Sequence, residues 1–191
     1  EREKQICMND YKYVDLILGK QCQTKMGRGG IRPLEFKTFS KEMQNAITNY
    51  CQAGGNFFVS GAYVASDLWD NRLVKANEED KKFAMEVLKY KWRVGQAARN
   101  GKVKSVASPF PEITGSYTYY QDLNPESYVV ESPDALEPAA QGAFTILRYS
   151  ENNLSAGIAY KGNYKTCVLG FPFEAIRTVT ERAVSYTHLT L

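Results

Sequence analysis

The segment from Ser40 to Asp70 constrains the fold of this chain more than any other stretch. Apolar residues recur in its first half at the spacing of one helix face, and they are Met43, Ala46, Ile47, Tyr50 and Cys51. Ser40 is suited to cap the start of this helix, and Gly54-Gly55 is suited to end it. The run at 56–60 then predicts a buried strand, which Gly61-Ala62 ends in a sharp corner. In open α/β sheets, ligands and nucleophiles lie beyond such strand ends.

Composition limits the class of protein. A chain of 191 residues with 43% hydrophobic and 24% charged residues is typical of one globular domain. A formal charge of +3 is too small to favour nucleic acid as a partner, and no apolar run has the roughly 20 residues that a membrane span needs. The four cysteines include no CxxC pair, so neither a zinc site nor a disulfide framework is expected. We expect no metal and no cofactor.

Histidine is nearly absent from the sequence. The single histidine is His188, within a closing segment at 184–191 that resembles an adapter-derived tail. We therefore expect one domain at 1–183 followed by a non-native tail. Without histidine, Ser-His-Asp and Cys-His catalysis would need a base from another chain or domain.

The rest of the chain contains segments with the apolar spacing of helices and segments with the apolar spacing of strands. We predict a strand at 13–19 and a helix at 78–90 that Asn77 caps. Asn100-Gly101 has the signature of a hairpin turn and is predicted to join strands at 92–98 and 103–107. The proline-rich stretch 109–142 is predicted to be irregular. A three-strand meander is predicted at 143–149, 155–160 and 164–170. A helix is predicted to follow it at 175–183.

Three segments resemble the class I glutamine amidotransferase-like fold. They are Val14–Gly19, Gly55–Ala62 and Val168–Glu174. Within that superfamily, 54–63 and 170–176 are most similar to a domain of secreted bacterial proteins labelled xanthan lyase-like. The resemblance implies an α/β, flavodoxin-like three-layer sandwich with a mostly parallel sheet, an added antiparallel hairpin or meander, and a missing N-terminal strand and helix. It also implies a secreted or cell-surface location and further domains in a longer parent chain.

The same resemblance implies a degenerate site. Gly19 matches the oxyanion glycine, Ala62 stands where the family has its nucleophilic cysteine, and Pro172 stands where it has histidine. Glu174 is the one member of the triad that is retained. Because nucleophile and base are both replaced, glutaminase activity is not expected.

Three functions remain open at this point. The first is a non-catalytic module that binds polysaccharide through aromatic rings, for which the candidates are Trp69, Tyr117, Tyr119, Tyr120 and Tyr128. For Tyr117 and Tyr119 the alternative is a core-facing strand. The second is a polysaccharide lyase or glycoside hydrolase that uses tyrosine or paired carboxylates among Asp67, Asp70 and Glu174. Asp67 and Asp70 could instead cap a short helix. The third is a structural spacer domain.

Overall fold

The computed structural model describes residues 7–26, 34–69, 77–110 and 113–183. The strands are β1 (Tyr13–Ile17), β2 (Thr24–Met26), β3 (Leu34–Phe36), β4 (Asn56–Ser60), β5 (Tyr90–Val94), β6 (Lys102–Ser105), β7 (Ser116–Thr118), β8 (Ala135–Pro138), β9 (Ala143–Tyr149), β10 (Ser155–Lys161) and β11 (Lys165–Leu169). The helices are α1 (Lys41–Gln52), α2 (Ser66–Trp69) and α3 (Glu78–Phe83). A π-helical turn at Ala84–Leu88 follows α3, and 3-10 turns occupy Met8–Asp10 and Phe173–Ala175. Asp70, His188 and the predicted tail at 184–191 lie outside the described residues.

The helix and strand that follow Ser40 fold as their sequence pattern predicts. The Ser40 side chain accepts a hydrogen bond from the Met43 N–H and caps α1. The helix buries one stripe, which includes Ile47, Tyr50 and Cys51. Gly54 has a φ of +91° just beyond the helix end. Gly55 is required by a close approach, because a Cβ there would lie 2.3 Å from the Tyr50 ring.

The central sheet is mixed, so the predicted mostly parallel, flavodoxin-like sheet is wrong. Seven described strands lie in the order β1-β4-β11-β10-β9-β6-β7. Only the β1–β4 and β4–β11 pairs among them are parallel. The remaining neighbours pair in antiparallel fashion. The meander was expected as an addition to a parallel sheet, but it continues the same sheet and supplies three of its seven described strands.

Two apolar layers cover the sheet. Alternate residues of one strand point to opposite faces, so that Phe57 and Val59 join one cluster and Phe58 joins the other. The first cluster includes residues of α1 and of the π-helical turn. The second includes residues from the strands and loops between 97 and 135. One face is thus covered largely by helices and the other by non-helical chain, unlike a flavodoxin-like sandwich.

The hairpin predicted at Asn100-Gly101 does not form between the expected strands. Gly101 has the φ of +64° that a tight turn uses. However, β5 pairs with β8 in a separate two-stranded sheet, whereas β6 pairs with β7 and β9. The carboxylate of Glu151 accepts the N–H groups of Arg99 and Asn100 and holds this turn against the end of β9. The turn residues were identified correctly, but they do not determine the strand partners.

Three other predicted segments differ from the structure. The helix predicted at 78–90 has Asn77 as its cap, but it becomes a π-helical turn at Ala84–Leu88 and ends in left-handed Lys89. The irregular stretch 109–142 contains the short strands β7 and β8. The helix predicted at 175–183 is replaced at its start by the 3-10 turn, and 179–183 is helical.

Gly170 provides a test of this packing. A Cβ at Gly170 would lie 2.0 Å from the backbone oxygen of Asp134, whereas a Cβ at Gly95 would make ordinary contact at 3.6 Å. We expect Gly170→Ala to lower the free energy of unfolding by at least about 2 kcal/mol, because backbone must move. Gly95→Ala should change it by less than about 1 kcal/mol. Urea denaturation measures both, and equal values would contradict the described contact.

Candidate functional site

The carboxyl ends of the three parallel strands meet at one edge of the sheet. Ile17, Ser60 and Leu169 lie in one row across β1, β4 and β11. Beyond this row, the Ala62 N–H donates to the Gly19 carbonyl at 2.9 Å. The structure thus brings the chain after each strand to one place, including the predicted site residues Gly19, Ala62, Pro172 and Glu174.

Gly19 allows two side chains to approach the backbone closely. Its φ is +58°, a region that favours glycine. A Cβ there would lie 3.1 Å from Glu174 Oε1 and 3.1 Å from the Tyr128 hydroxyl. A larger residue would therefore push these two groups away from the strand ends.

Glu174 and Tyr128 form the polar centre of this edge. The Tyr128 hydroxyl donates to Glu174 Oε1 at 2.5 Å. Burial, and then the hydrogen bond to Glu174, raises the pKa of Tyr128 well above its usual value. The second carboxylate oxygen, Oε2, is buried and has no hydrogen-bond partner among the described residues. Such an oxygen is costly to leave unsatisfied, and a bound hydroxyl group could satisfy it.

A strap, defined as residues 120–131, carries Tyr128 to this edge. The Tyr120 N–H donates to the Ala175 carbonyl at 3.2 Å, and the Val130 N–H donates to the Tyr120 carbonyl at 3.1 Å. The start and the end of the strap therefore lie side by side next to the turn that holds Glu174. Ser60 supports this turn from below, because its Oγ accepts the Phe173 N–H.

The cations at this edge already have partners. Lys20 forms an ion pair with Glu131 at 2.6 Å, and its ammonium lies 5.7 Å from the centre of the Tyr128 ring. Arg177 lies 5.2 Å from the centre of the Tyr120 ring and 3.8 Å from a carboxylate oxygen of Asp122. These exposed pairs each contribute little to stability, but together they orient the strap.

The predicted aromatic residues separate into two groups. Tyr120 and Tyr128 lie on the strap at the site. Tyr117 and Tyr119 are buried in the core, where Tyr119 stacks on Phe171 with centroids 5.1 Å apart. Their rings are therefore not accessible to a ligand, in agreement with the core-facing alternative. Trp69 is half-buried against Tyr90 on the layer that carries α1, with ring centroids 6.3 Å apart.

The predicted carboxylate pair cannot be assembled from the described residues, because Asp70 lies outside them. Asp67 is buried in α2 and accepts the backbone N–H of Gln23. Burial raises the pKa of Asp67, and the hydrogen bond from the Gln23 N–H partly opposes this shift. Asp67 therefore ties the loop after β1 to α2.

Asp134 is the titratable residue that the sequence analysis missed. It is fully buried, and one carboxylate oxygen accepts the N–H groups of Ala65 and Ser66 at 2.8 Å each. The other oxygen accepts the indole N–H of Trp92 at 3.3 Å. Burial raises the pKa of Asp134 to about 7, and the hydrogen bonds from Ser66 and Ala65 oppose that shift. A lone aspartate after a proline gives no local signal of this role.

Neither a metal-binding cluster nor a membrane-spanning helix is found among the residues that the structure describes. Within 7–26, 34–69, 77–110 and 113–183, no three His, Cys, Asp or Glu residues are grouped so that they could hold a metal ion. Over the same residues, no helix combines the length and the apolar character needed to cross a membrane.

Comparison with known proteins places the fold among glycoside hydrolase structures. No protein-family model matches the chain, and no curated protein matches its sequence. The chain is similar in structure to the beta-galactosidase from Rahnella sp. R3, with a TM-score of 0.57, 14% identity and coverage of 97% of this chain and 23% of that one. It is also similar to the exo-beta-1,4-mannosidase Op5Man5 from Opitutaceae bacterium strain TAV5, with a TM-score of 0.53, 10% identity and coverage of 97% and 26%.

A third similar structure is Gan42B, a GH42 beta-galactosidase, with a TM-score of 0.54, 10% identity and coverage of 97% and 22%. The chain thus spans about a quarter of the length of these solved structures. The resemblance to class I glutamine amidotransferases and to xanthan lyase-like domains is therefore wrong, because the matching chains are glycoside hydrolases and the sheet is mixed. The secreted or surface location that the resemblance implied stays a prediction.

The Tyr128–Glu174 hydrogen bond should stabilise the fold measurably. We expect Tyr128→Phe to lower the free energy of unfolding by about 1–3 kcal/mol, since it leaves a second carboxylate oxygen without a donor. Tyr63→Phe is the matched control, because Tyr63 packs against the same core and its hydroxyl has no hydrogen-bond partner among the described residues. Chemical denaturation would contradict the described bond if both variants lost equal stability.

Asp134 should make stability depend on pH. The pKa of Asp134 is raised from its usual value of 3.8 to about 7 in the folded chain, so the folded state holds an extra proton between these pH values. The stability that this proton contributes is fully present below about pH 4 and is lost as the pH rises through 7, a change of up to about 4 kcal/mol. Urea unfolding from pH 4 to 8 should show this fall relative to Asp134→Asn. Parallel curves for the two proteins would contradict it.

Proposed function

We propose that this chain is a domain of a glycoside hydrolase and that its site at Glu174 and Tyr128 binds a sugar. The observation that carries the proposal is the buried, unpartnered Glu174 oxygen beside the Tyr128 hydroxyl at the strand ends. The structural similarity to a β-galactosidase and a mannosidase over 97% of the chain supports the carbohydrate class. A non-catalytic amidotransferase-like module is not supported.

The polar groups of the site suit a sugar. A pyranose presents several hydroxyl groups, each of which can donate to a carboxylate oxygen and accept from a tyrosine hydroxyl. Glu174 Oε2 lacks a donor among the described residues, so one sugar hydroxyl would satisfy it after displacing the groups that bury it. The Tyr128 ring is half-buried, and its hydroxyl bonds this carboxylate, so the ring offers apolar surface for the C–H face of the sugar close to Glu174.

The partly exposed charges favour a neutral sugar over an acidic one. Lys20 and Arg177 are each paired with a carboxylate of the strap, Glu131 and Asp122 respectively. An acidic sugar would have to displace one of these carboxylates and then approach Glu174. A neutral sugar would neither displace a strap carboxylate nor be repelled by Glu174.

Catalysis by this chain is the second candidate, because Glu174 is a carboxylate hydrogen-bonded to a possible proton donor. Glycoside hydrolysis usually needs two carboxylates on opposite sides of the scissile bond. The described site provides Glu174 directly, whereas two carboxylates of the strap are already engaged, Glu131 with Lys20 and Glu126 with the Tyr120 hydroxyl. Binding is therefore the better supported function for this domain, with hydrolysis as an outcome of the test.

The test is calorimetric titration of the 191-residue chain with galactose and mannose, alongside release of p-nitrophenol from the corresponding β-glycosides. We expect saturable sugar binding that Glu174→Gln weakens about tenfold or more, because a hydrogen bond to a charged oxygen is lost. Glu79→Gln is the control, since Glu79 is exposed on α3 and pairs only with Lys41 in the described contacts.

The possible results separate the functions. Binding without release of p-nitrophenol supports a sugar-binding domain. Release that Glu174→Gln abolishes supports hydrolysis by this chain. Absence of both contradicts the proposal and favours a spacer role, as does binding that Glu174→Gln and Glu79→Gln leave equally strong.

A further inference from the structure

Asp134 joins the two segments that follow β4 and β11. Its carboxylate accepts the N–H groups of Ala65 and Ser66 at 2.8 Å each, where the corner after β4 leads into α2. Its own N–H donates to the Gly170 carbonyl at 2.6 Å, directly after β11. The Tyr149 hydroxyl donates to its carbonyl at 2.7 Å and fixes the residue from a third direction.

Both segments lead to the proposed sugar site. The corner after β4 contains Ala62, whose N–H holds the Gly19 carbonyl at 2.9 Å. Gly19 in turn lies against Glu174 and Tyr128. Gly170 begins the short segment that carries Glu174. A displacement at Asp134 would therefore reach the site from two sides.

We propose that Asp134 is a positioning residue that holds the corner after β4 and the segment after β11 in place, and that a proton on its carboxylate alters the sugar site. The inference rests on the proposed function, because it concerns regulation of the same site. Asp134 does not touch the sugar and is not a catalytic residue.

The groups around the carboxylate leave its charge poorly compensated. They are Ser66 from α2, Tyr90 and Trp92 from β5, and Tyr149 from β9, with Asp67 farther along α2. The Tyr90 hydroxyl donates to the Val64 carbonyl, so it does not serve the carboxylate. No lysine or arginine in the described part of the chain forms an ion pair with Asp134. Burial raises the pKa of this carboxyl to about 7, so both protonation states occur under mild conditions.

Protonation would weaken specific hydrogen bonds. Oδ2 already accepts two N–H groups, so the proton is best placed on Oδ1, which faces the Trp92 indole N–H at 3.3 Å. Two donors would then oppose each other there. The bonds from Ala65 and Ser66 would also weaken, because N–H groups bond less strongly to a neutral carboxyl than to a carboxylate. The corner after β4 would be held less firmly at low pH.

The test follows amide and indole resonances of the whole chain by NMR from pH 5.5 to 8.5. We expect Ala65, Ser66 and the Trp92 indole to titrate with one midpoint near 7, and Ala62 at the site to shift with the same midpoint. Asp134→Asn should remove this transition. Glu137→Gln should leave it unchanged, because Glu137 lies on β8 close to Asp134 in the chain but pairs with Arg93.

Trp92→Phe is a second variant that does not depend on Asp134→Asn folding. It removes one donor to the carboxylate, so the midpoint for Ala65 and Ser66 should move to higher pH. An unchanged or lower midpoint would contradict the described hydrogen bond. A transition that persists in folded Asp134→Asn would overturn the inference, as would an Ala62 resonance that does not follow Ala65 and Ser66.

Galactose titration at pH 6 and pH 8 separates this inference from the proposed function. If galactose binds, we expect affinity about fivefold higher at pH 8 in the original chain and equal affinities in Asp134→Asn. Equal affinities in the original chain would overturn the regulatory part. If no sugar binds at either pH while Ala62 titrates with Asp134, the proposed function fails and the positioning role of Asp134 stands.

Discussion

The register of β4 between β1 and β11 determines where the residues that follow these three strands lie, including Gly19, Ala62 and Glu174. Because both neighbours run parallel to β4, all three strands end in the row of Ile17, Ser60 and Leu169. A shift of one residue would turn Phe57 and Phe58 to the wrong layers, so the core strongly resists it. The chain segments that follow these three strands are thereby brought to one edge of the sheet. The strands beyond β11 are antiparallel, so their carboxyl ends lie at alternating edges.

The buried charge of Asp134 is the cost that accompanies this arrangement. A hydrophobic residue at that position would avoid the desolvation of a carboxylate, but it would leave the N–H groups of Ala65 and Ser66 without their acceptor. The helix that follows has only four residues and cannot compensate by its own hydrogen bonding. The corner after β4 is thus held by a carboxylate that destabilises the fold when it is charged. The contribution of Asp134 to the free energy of unfolding therefore falls as the pH rises, whereas its proposed hold on the corner becomes firmer.

Features that depend on neighbouring residues could be predicted from the sequence, and features that depend on distant contacts could not. The caps at Ser40 and Asn77 and the strand at 56–60 depend on local geometry. The partner of β5 is 135–138, which no local pattern indicates, so Asn100-Gly101 was assigned to the wrong pair of strands. The alternation of Tyr117 and Tyr119 indicates buried strand residues, and both are buried. The same pattern does not indicate that the next residue, Tyr120, lies on the strap. Asp134 has no local signal, because the donors to its carboxylate lie between 42 and 69 residues away in the chain.

The strap explains how one carboxylate and one hydroxyl come together at the proposed sugar site. Glu174 lies on a turn that the sheet fixes through Ser60, whereas Tyr128 reaches it from residues that the sheet does not contain. The contact between them requires Gly19, because a side chain there would separate the two groups. Sheet, strap and glycine therefore place one acceptor and one donor together without a second carboxylate. Such an arrangement suits recognition of a sugar hydroxyl, whereas bond cleavage would need a further acidic group on the opposite side of the sugar.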